Sequence, residues 1–354
     1  MGLDEWRSRI DDLDRQLLKL LNARAEIATE VGRAKRQAGA AVHVPEREHE
    51  VLQSLVSVNR GPLGAEAVRA IWREIFSASR ALQHPFRVAY MGPAATYSHL
   101  AALRQFGESA AYVPVRGIHD VFTEVEHERA DVGVVPVENS TEGVVNHTLD
   151  RLIDSELRIS GEIQLEIHHF LLSRARELSE VKRVYSHPQP LAQCRQWLDR
   201  SLPHAETVEV GSTVVAVEHA REDASSAAIA SELAGRLYGL PVLRARIEDV
   251  TQNVTRFLVV GRQGASPTGR DKTSVLLSIK DEVGALFRIV EPFAVARVNL
   301  SKIESRPTRR RPWEYVFFMD FEGHQADPPV QDVLAALTER CLFLKVLGSY
   351  PAAV

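Results

Sequence analysis

At 354 residues, with 45% hydrophobic and 25% charged side chains, the chain has the composition of an ordinary globular protein and material for two or three cores. A net charge of -4, with 13 Lys/Arg against 12 Asp/Glu over residues 1–85, argues against nucleic acid or a membrane surface as partner. Cys194 and Cys341 are far apart and form no CxxC pair, which argues against a disulfide framework or a zinc site and suits a reducing compartment. The charged stretch Met1–Arg9 is unlike a signal peptide, and no run has the length of a membrane helix, so a cytoplasmic protein is expected. The short basic run Arg309–Arg311, beside Pro307 and Pro312, reads as a solvated loop tip.

The first 85 residues read as helix. Leu3, Trp6, Ile10, Leu13, Leu17, Leu20, Ile27 and Val31 recur at three-four spacing, which predicts a helix over about 3–38, roughly 50 Å long. A short monomer cannot cover so long a seam, so a partner helix from a second chain is expected. Gly39 is a candidate stop, Pro45 a first-turn residue of the second helix, and Pro62–Gly64 a break before the third. Arg24 stands on the seam where the spacing calls for a hydrophobe, and a buried arginine needs an anionic partner. Lys35 lies only roughly 20° from it around the helix, whereas Arg7 is roughly 100° away and would serve a partner's pocket. On the third helix the stripe Val68–Trp72–Ile75 continues as Ser79 and Gln83. Two or three cations with neutral donors suit a small dicarboxylate.

After Pro85 the pattern changes. Short β-prone runs at 87–91, 111–115, 132–137, 181–185, 206–210, 226–230 and 256–260 alternate with helix-like stretches. That predicts an α/β domain with mainly parallel sheets, divided into two small subdomains around a cleft. Four polar motifs sit where predicted strands end, the usual place for ligands in such sheets: Gly92–Ser98, Pro136–Gly143, Ser186–Gln189 with Gln193, and Thr255–Phe257. The histidines near them, His187 included, have no metal-ligand spacing and read as structural or surface residues. The stretch 262–271 reads as a linker. Beyond it the elements follow a βαββαβ order, which is a ferredoxin-like α+β layout.

Residues 3–83, through W-R-S-R-I-D-D-L-D, L-L-N-A-R, V-G-R-A-K and P-E-R-E, resemble the all-helical chorismate mutase family. The resemblance implies an all-α, three-helix, intertwined dimer acting on chorismate. In it Arg24 and the partner chain's copy of Arg7 bind carboxylates with Arg47 in support, and Ser79 contacts a carboxylate. Lys35 and Gln83 donate to the ether oxygen, and Glu48 takes the substrate hydroxyl. Val44 departs from the aspartate that some relatives carry there. Residues 87–262, through G-P-x-x-T-Y-S, P-V-E-N-S, S-H-P-Q-x-x-x-Q and T-R-F, resemble the prephenate dehydratase family. That implies Thr255 as the main proton donor for prephenate, assisted by Ser186 and Gln193. Glu138, Asn139, Ser140, Thr96 and Arg256 would line the site, with Arg256 on a substrate carboxylate. Ala95 replaces the usual glycine.

Gly284-Ala285-Leu286 and Glu304-Ser305-Arg306-Pro307 resemble the phenylalanine-binding motifs of the ACT regulatory domain, with Asn299 a further expected contact. The boundaries expected are 1–85, 86–262 and 272–354. No metal or organic cofactor is expected, and a homodimer is the smallest expected assembly. A non-catalytic metabolite-binding regulator is the alternative from another class, and an enzyme with one activity, or one preferring arogenate, the nearer one.

Overall fold

The computed structural model describes residues 2–38, 43–307 and 315–353. Gly39 and the Arg309–Arg311 run lie outside the described residues. The chain divides into two compact units, Met1–Arg87 with Gln105–Ala111, and Val88–Arg104 with Tyr112–Val354.

The first unit holds α1 (Leu3–Ala38), α2 (Pro45–Val58) and α3 (Ala65–Gln83). Acidic Asp4 and Glu5 in the first turn of α1, and Lys35 and Arg36 in its last, match the helix dipole. Pro45 occupies the first turn of α2, where its missing N–H costs no helical hydrogen bond. Leu3, Ile10, Leu13, Leu17, Leu20 and Ile27 are each more than half exposed, and Gly32 is the one buried residue of α1. A Cβ at Gly32 would lie 2.5 Å from Cγ of Gln83, so the missing side chain is what lets α1 approach α3 here. The segment Gln105–Ala111 completes this unit. The Glu108 amide donates to Glu74 at 2.9 Å, and the Ser109 amide to Ser77 Oγ at 3.0 Å.

The second unit begins with one sheet, formed by β1 (Arg87–Met91), β2 (Ala111–Val115), β3 (Val132–Asn139), β4 (Gly143–Val144) and β5 (Arg158–Glu166), with α4 (Tyr97–Phe106), α5 (Ile118–Glu126) and α6 (Asn146–Asp154) between them. The chain then crosses into a second sheet of β6 (Phe170–Ser173), β7 (Arg183–Ser186), β8 (Glu206–Glu209), β9 (Ser226–Ala230) and β10 (Val242–Arg244). Helices α7 (Pro188–Gln193), α8 (Arg195–Ser201), α9 (Thr213–Glu222) and α10 (Glu232–Tyr238) belong to this lobe. It returns as β11 (Val254–Gly261), giving the first sheet the order β2-β1-β3-β11-β5.

Because β11 comes back from the second lobe, it runs antiparallel to both β3 and β5. The sheets are therefore mixed, not mainly parallel: β1–β3, β7–β8 and β7–β9 are parallel, while β6–β9 and β6–β10 are antiparallel. Thr255 accordingly lies at the start of a strand, opposite Asn139 at the end of β3. Sequence periodicity missed β5, whose Glu162 is a buried charge that breaks the apolar pattern.

The last part is β12 (Asp271–Ser278), α11 (Ala285–Ala296), β13 (Leu300–Pro307), β14 (Tyr315–Glu322), α12 (Pro328–Arg340) and β15 (Phe343–Pro351), a βαββαβ order with sheet order β13-β14-β12-β15. Residues 262–270 carry neither helix nor strand. The β15 backbone packs tightly on β5: a Cβ at Gly348 would fall 2.2 Å from the Ile159 carbonyl oxygen.

Candidate functional site

Within the first unit, a cavity of about 350 Å³ opens between the three helices, and Arg24, Lys35, Arg47, Glu48, Ser79 and Gln83 all line it. Helical spacing explains the convergence, since Arg24 and Lys35 fall on one face of α1 and Ser79 and Gln83 on one face of α3. Arg24 Nη1 donates to Ser79 Oγ at 2.6 Å, while Ser79 Oγ donates to the Ile75 carbonyl at 2.7 Å. The Arg24 guanidinium also lies 5.5 Å from the centre of the Phe76 ring. Gln83 Oε1 is buried without a hydrogen-bond partner. Oε1 can only accept, so the terminus of Gln83 able to donate to a ligand oxygen is its Nε2 amide. Burial pushes the Lys35 ammonium below its usual pKa, against the opposing pull of Glu48 and Glu46. Arg7 does not reach this cavity; it is exposed and pairs with Asp4 at 3.4 Å.

Arg80 was not among the expected residues. It is 3% exposed, ion-pairs with Glu48, donates from Nη2 to the Phe106 carbonyl at 2.7 Å, and lies over the Phe86 and Phe106 rings. Glu48 is thus held by a buried cation on one oxygen. The signal for Arg80 was present: extending the stripe as Trp72–Phe76–Arg80 puts a second cation where a hydrophobe belongs.

In the second unit the dehydratase-type motifs meet through side-chain hydrogen bonds. Asn139 Nδ2 donates to Thr255 Oγ1 at 2.8 Å and to Asn253 Oδ1 at 2.7 Å. Asn253 Nδ2 donates to Gln193 Oε1 at 3.1 Å, and Gln193 Nε2 donates to Glu142 at 3.0 Å. These bonds join the two lobes, because Gln193 ends α7 in one lobe while Asn139 and Thr255 belong to the other. Asn139 occupies one of the two lone pairs of the Thr255 hydroxyl, whose own proton can still be donated. His169, 1% exposed, also joins the chain, with Nε2 2.7 Å from Gln193 Oε1 and Nδ1 2.8 Å from the Tyr97 hydroxyl. Burial pushes the His169 imidazole below its usual pKa and the Tyr97 phenol above its own. Sequence reasoning set this histidine aside for want of metal-ligand spacing, and the described residues hold no cluster of three or more potential metal ligands.

Other expected residues are placed differently. Arg256 faces away from Thr255, since successive strand side chains alternate. Its guanidinium, expected on a substrate carboxylate, here binds Glu162 at 2.8 Å, Asp320 at 2.5 Å and the Tyr350 hydroxyl at 2.9 Å. Glu138 is engaged by Lys302 of β13 at 2.6 Å. Ser186 is fully buried and donates to the Ile229 carbonyl at 2.7 Å. Thr96 donates to the Met91 carbonyl at 3.0 Å, and Ser140 to the Gln252 carbonyl at 3.1 Å. Ala95 adopts φ of 71°, the left-handed region in which glycine is at ease.

Of the expected effector residues, Gly284 caps α11 with φ of 78° and Ala285 begins the helix, with Leu286 48% exposed beside it. Asn299 donates to Glu322 at 3.0 Å. Glu304–Pro307 close β13, where Arg306 binds Asn146 and Asp150 of the first lobe, each at 2.7 Å, while Ser305 and Pro307 are exposed.

A cation-lined helical pocket, a two-lobed α/β site and a βαββαβ domain define a multidomain enzyme with an appended regulatory module. Residues 6–84 match the family described as chorismate mutase type II, residues 88–265 prephenate dehydratase, and residues 273–339 the ACT domain. The bifunctional chorismate mutase/prephenate dehydratase of Aquifex aeolicus is 48% identical over 99% of this chain and 98% of its own length. That of Pseudomonas aeruginosa is 45% identical over the same shares. The prephenate dehydratase of Arthrobacter aurescens, solved in complex with L-Phe, is 38% identical with a TM-score of 0.70, covering 75% of this chain and 90% of that one. The chain belongs to the bifunctional chorismate mutase/prephenate dehydratase family.

Proposed function

We propose that the helical unit rearranges chorismate to prephenate, that the two-lobed part converts prephenate to phenylpyruvate, and that phenylalanine acting on the C-terminal part restrains the second step. The observation that carries this reading is the cavity in which Arg24, Lys35, Ser79 and Gln83 converge. A Claisen rearrangement needs a compact substrate conformer and donors at the ether oxygen, with no nucleophile or proton transfer. Arg24 and Arg47 would hold carboxylate, Lys35 and the Gln83 amide would face the ether oxygen, and Glu48, steadied by Arg80, would accept the hydroxyl. The exposed apolar seam of α1 supports a homodimer in which the partner chain's copy of Arg7 reaches this cavity.

In the second step the bond from the ring to its carboxylate breaks, its electron pair enters the ring, and the ring hydroxyl leaves as water after taking one proton. Aromatisation supplies the driving force of this step, and neither it nor the rearrangement calls for a cofactor in this reading. Thr255 is the proton donor in this reading, held by Asn139 and aligned through Gln193. Glu138, Ser140, Thr96 and Ser186 shape the site around it. Phenylalanine would be held by Gly284–Leu286, Asn299 and Glu304–Pro307, and Lys302–Glu138 and Arg306–Asp150 give that strand direct holds on the first lobe. The working parts are 1–85, 86–262 and 272–354, in a cytoplasmic enzyme. No helix among the described residues is long and apolar enough to cross a membrane.

The test is to supply chorismate alone to the purified protein and follow both products, with and without phenylalanine. Unchanged chorismate would refute the first step and accumulating prephenate the second. Prephenate turnover indifferent to saturating phenylalanine would refute the sensor.

A further inference from the structure

Of the titratable groups in the second unit, His169 has the least explained surroundings. It lies where the chain crosses from β5 to β6, and its backbone is pinned on both sides. Its amide donates to Glu248 at 2.9 Å, and its carbonyl accepts from the Ile247 amide at 2.9 Å. The ring is therefore delivered to a fixed place between Tyr97 and Gln193.

Hydrogen accounting then fixes which ring nitrogen carries a proton. Asn139 Oδ1 faces the backbone amides of Thr141 at 3.0 Å and Glu142 at 3.1 Å, and backbone amides can only donate. The other terminus of Asn139 is therefore its NH2 group, which donates to Thr255 Oγ1 and Asn253 Oδ1. Asn253 must in turn present its NH2 to Gln193, so Gln193 turns its oxygen inward and its NH2 toward Glu142. An oxygen facing His169 Nε2 at 2.7 Å requires a hydrogen on that nitrogen, so in the neutral ring Nδ1 is an acceptor for the Tyr97 hydroxyl, whose single proton it shares with the His168 carbonyl, each 2.8 Å from the phenol oxygen. Two backbone amides thus dictate, through three side-chain amides, the tautomer of a buried histidine. The dependence also runs the other way. Without the donor at Nε2, the Gln193 amide loses one of the two contacts that hold its oxygen inward, and a flip would set NH2 against NH2 at Asn253.

We propose that His169 is a positioning residue for prephenate dehydration: as the Nε2–H donor, it locks the Gln193 amide and, through Asn253 and Asn139, the orientation of the Thr255 hydroxyl. The proposal rests on the reading of Thr255 and Gln193 as the dehydration machinery. The mutase cavity, built on other elements, is untouched by it.

The experiment uses the full chain carrying His169→Phe, His169→Gln, Gln193→Ala, Thr255→Val and the double variant His169→Phe/Gln193→Ala. Phenylpyruvate formation from prephenate is measured for each, with chorismate turnover as the check on folding. His169→Phe is expected to lower kcat roughly ten- to a hundredfold with little change in KM, as for a misplaced reacting group. His169→Gln, which offers an N–H of similar reach, should recover most of that loss. The double variant should be no worse than Gln193→Ala, because the histidine acts through the glutamine. Long-range proton–nitrogen spectra of histidine-labelled protein should find the proton of His169 on Nε2. Losses that add in the double variant, a Gln variant as poor as Phe, or unchanged kcat in His169→Phe would each overturn the proposal while leaving the site reading intact. Full turnover in Thr255→Val and Gln193→Ala would instead overturn the site reading, and this proposal with it.

Discussion

The two catalytic regions treat polar groups in opposite ways. The helical cavity leaves some of its polar atoms waiting: Gln83 Oε1 and Arg80 Nε are buried without hydrogen-bond partners. The two-lobed site pairs its polar atoms with one another, so that Thr255, Asn139, Asn253, Gln193 and His169 form one unbroken chain. The difference fits the chemistry proposed for each. A rearrangement that only redistributes charge is helped by cations and amide donors held around the atom on which charge builds. A step that needs one proton delivered from one hydroxyl is helped by a network that fixes where that proton points.

Cutting the network should have the largest effect. Thr255→Val keeps the shape but removes the hydroxyl, and prephenate conversion should fall roughly 100- to 10,000-fold. Chorismate turnover should be untouched, as a two-substrate assay would establish; equal losses of both would break the distinction between the regions. Arg24→Ala removes the cation that binds Ser79 and should lower chorismate turnover roughly 100- to 1,000-fold. Added prephenate should still be converted. Gly32→Ala is subtler, because its Cβ would collide with the Gln83 side chain and push the amide away from its place. A loss of about tenfold in chorismate kcat, with little change in KM, is the expected reading. The smallest effect concerns the turn before α4. Ala95→Gly removes the left-handed strain of an alanine at φ of 71° and should stabilise the second unit by about 1 kcal/mol. Thermal unfolding would measure it, and a loss of stability would mean that the packing of the Ala95 methyl outweighs the strain.

Much of the helical site was legible because its logic is local. A cation on an apolar seam is visible at the period of the helix, and Arg24, Lys35, Ser79 and Gln83 all line the one cavity. Arg80 was missed because the stripe was followed through Ile75 instead of Phe76. The two-lobed site was legible only as a series of motifs. Nothing local says that Asn139 would bond Asn253, 114 residues away, or that Arg256 would turn its back on Thr255 to bind Glu162 and Asp320. Strand β5 was missed because its buried Glu162 is affordable only beside Arg256 and Lys272, which come much later in the chain.

By itself the sequence determined the long first helix and its unpaired seam, the change to alternating elements after Pro85, the final βαββαβ order, and the motifs that mark the family. These follow from periodicity and spacing, which act within a few residues. Tertiary structure alone decided that the sheets are mixed, that Gly32 makes room for Gln83, that Glu138 and Arg306 are tied across to partners distant in sequence, and that His169 belongs to the Thr255 network. Each of those depends on which strand returns beside which and on which face a side chain leaves it. Only closure of the fold sets that geometry.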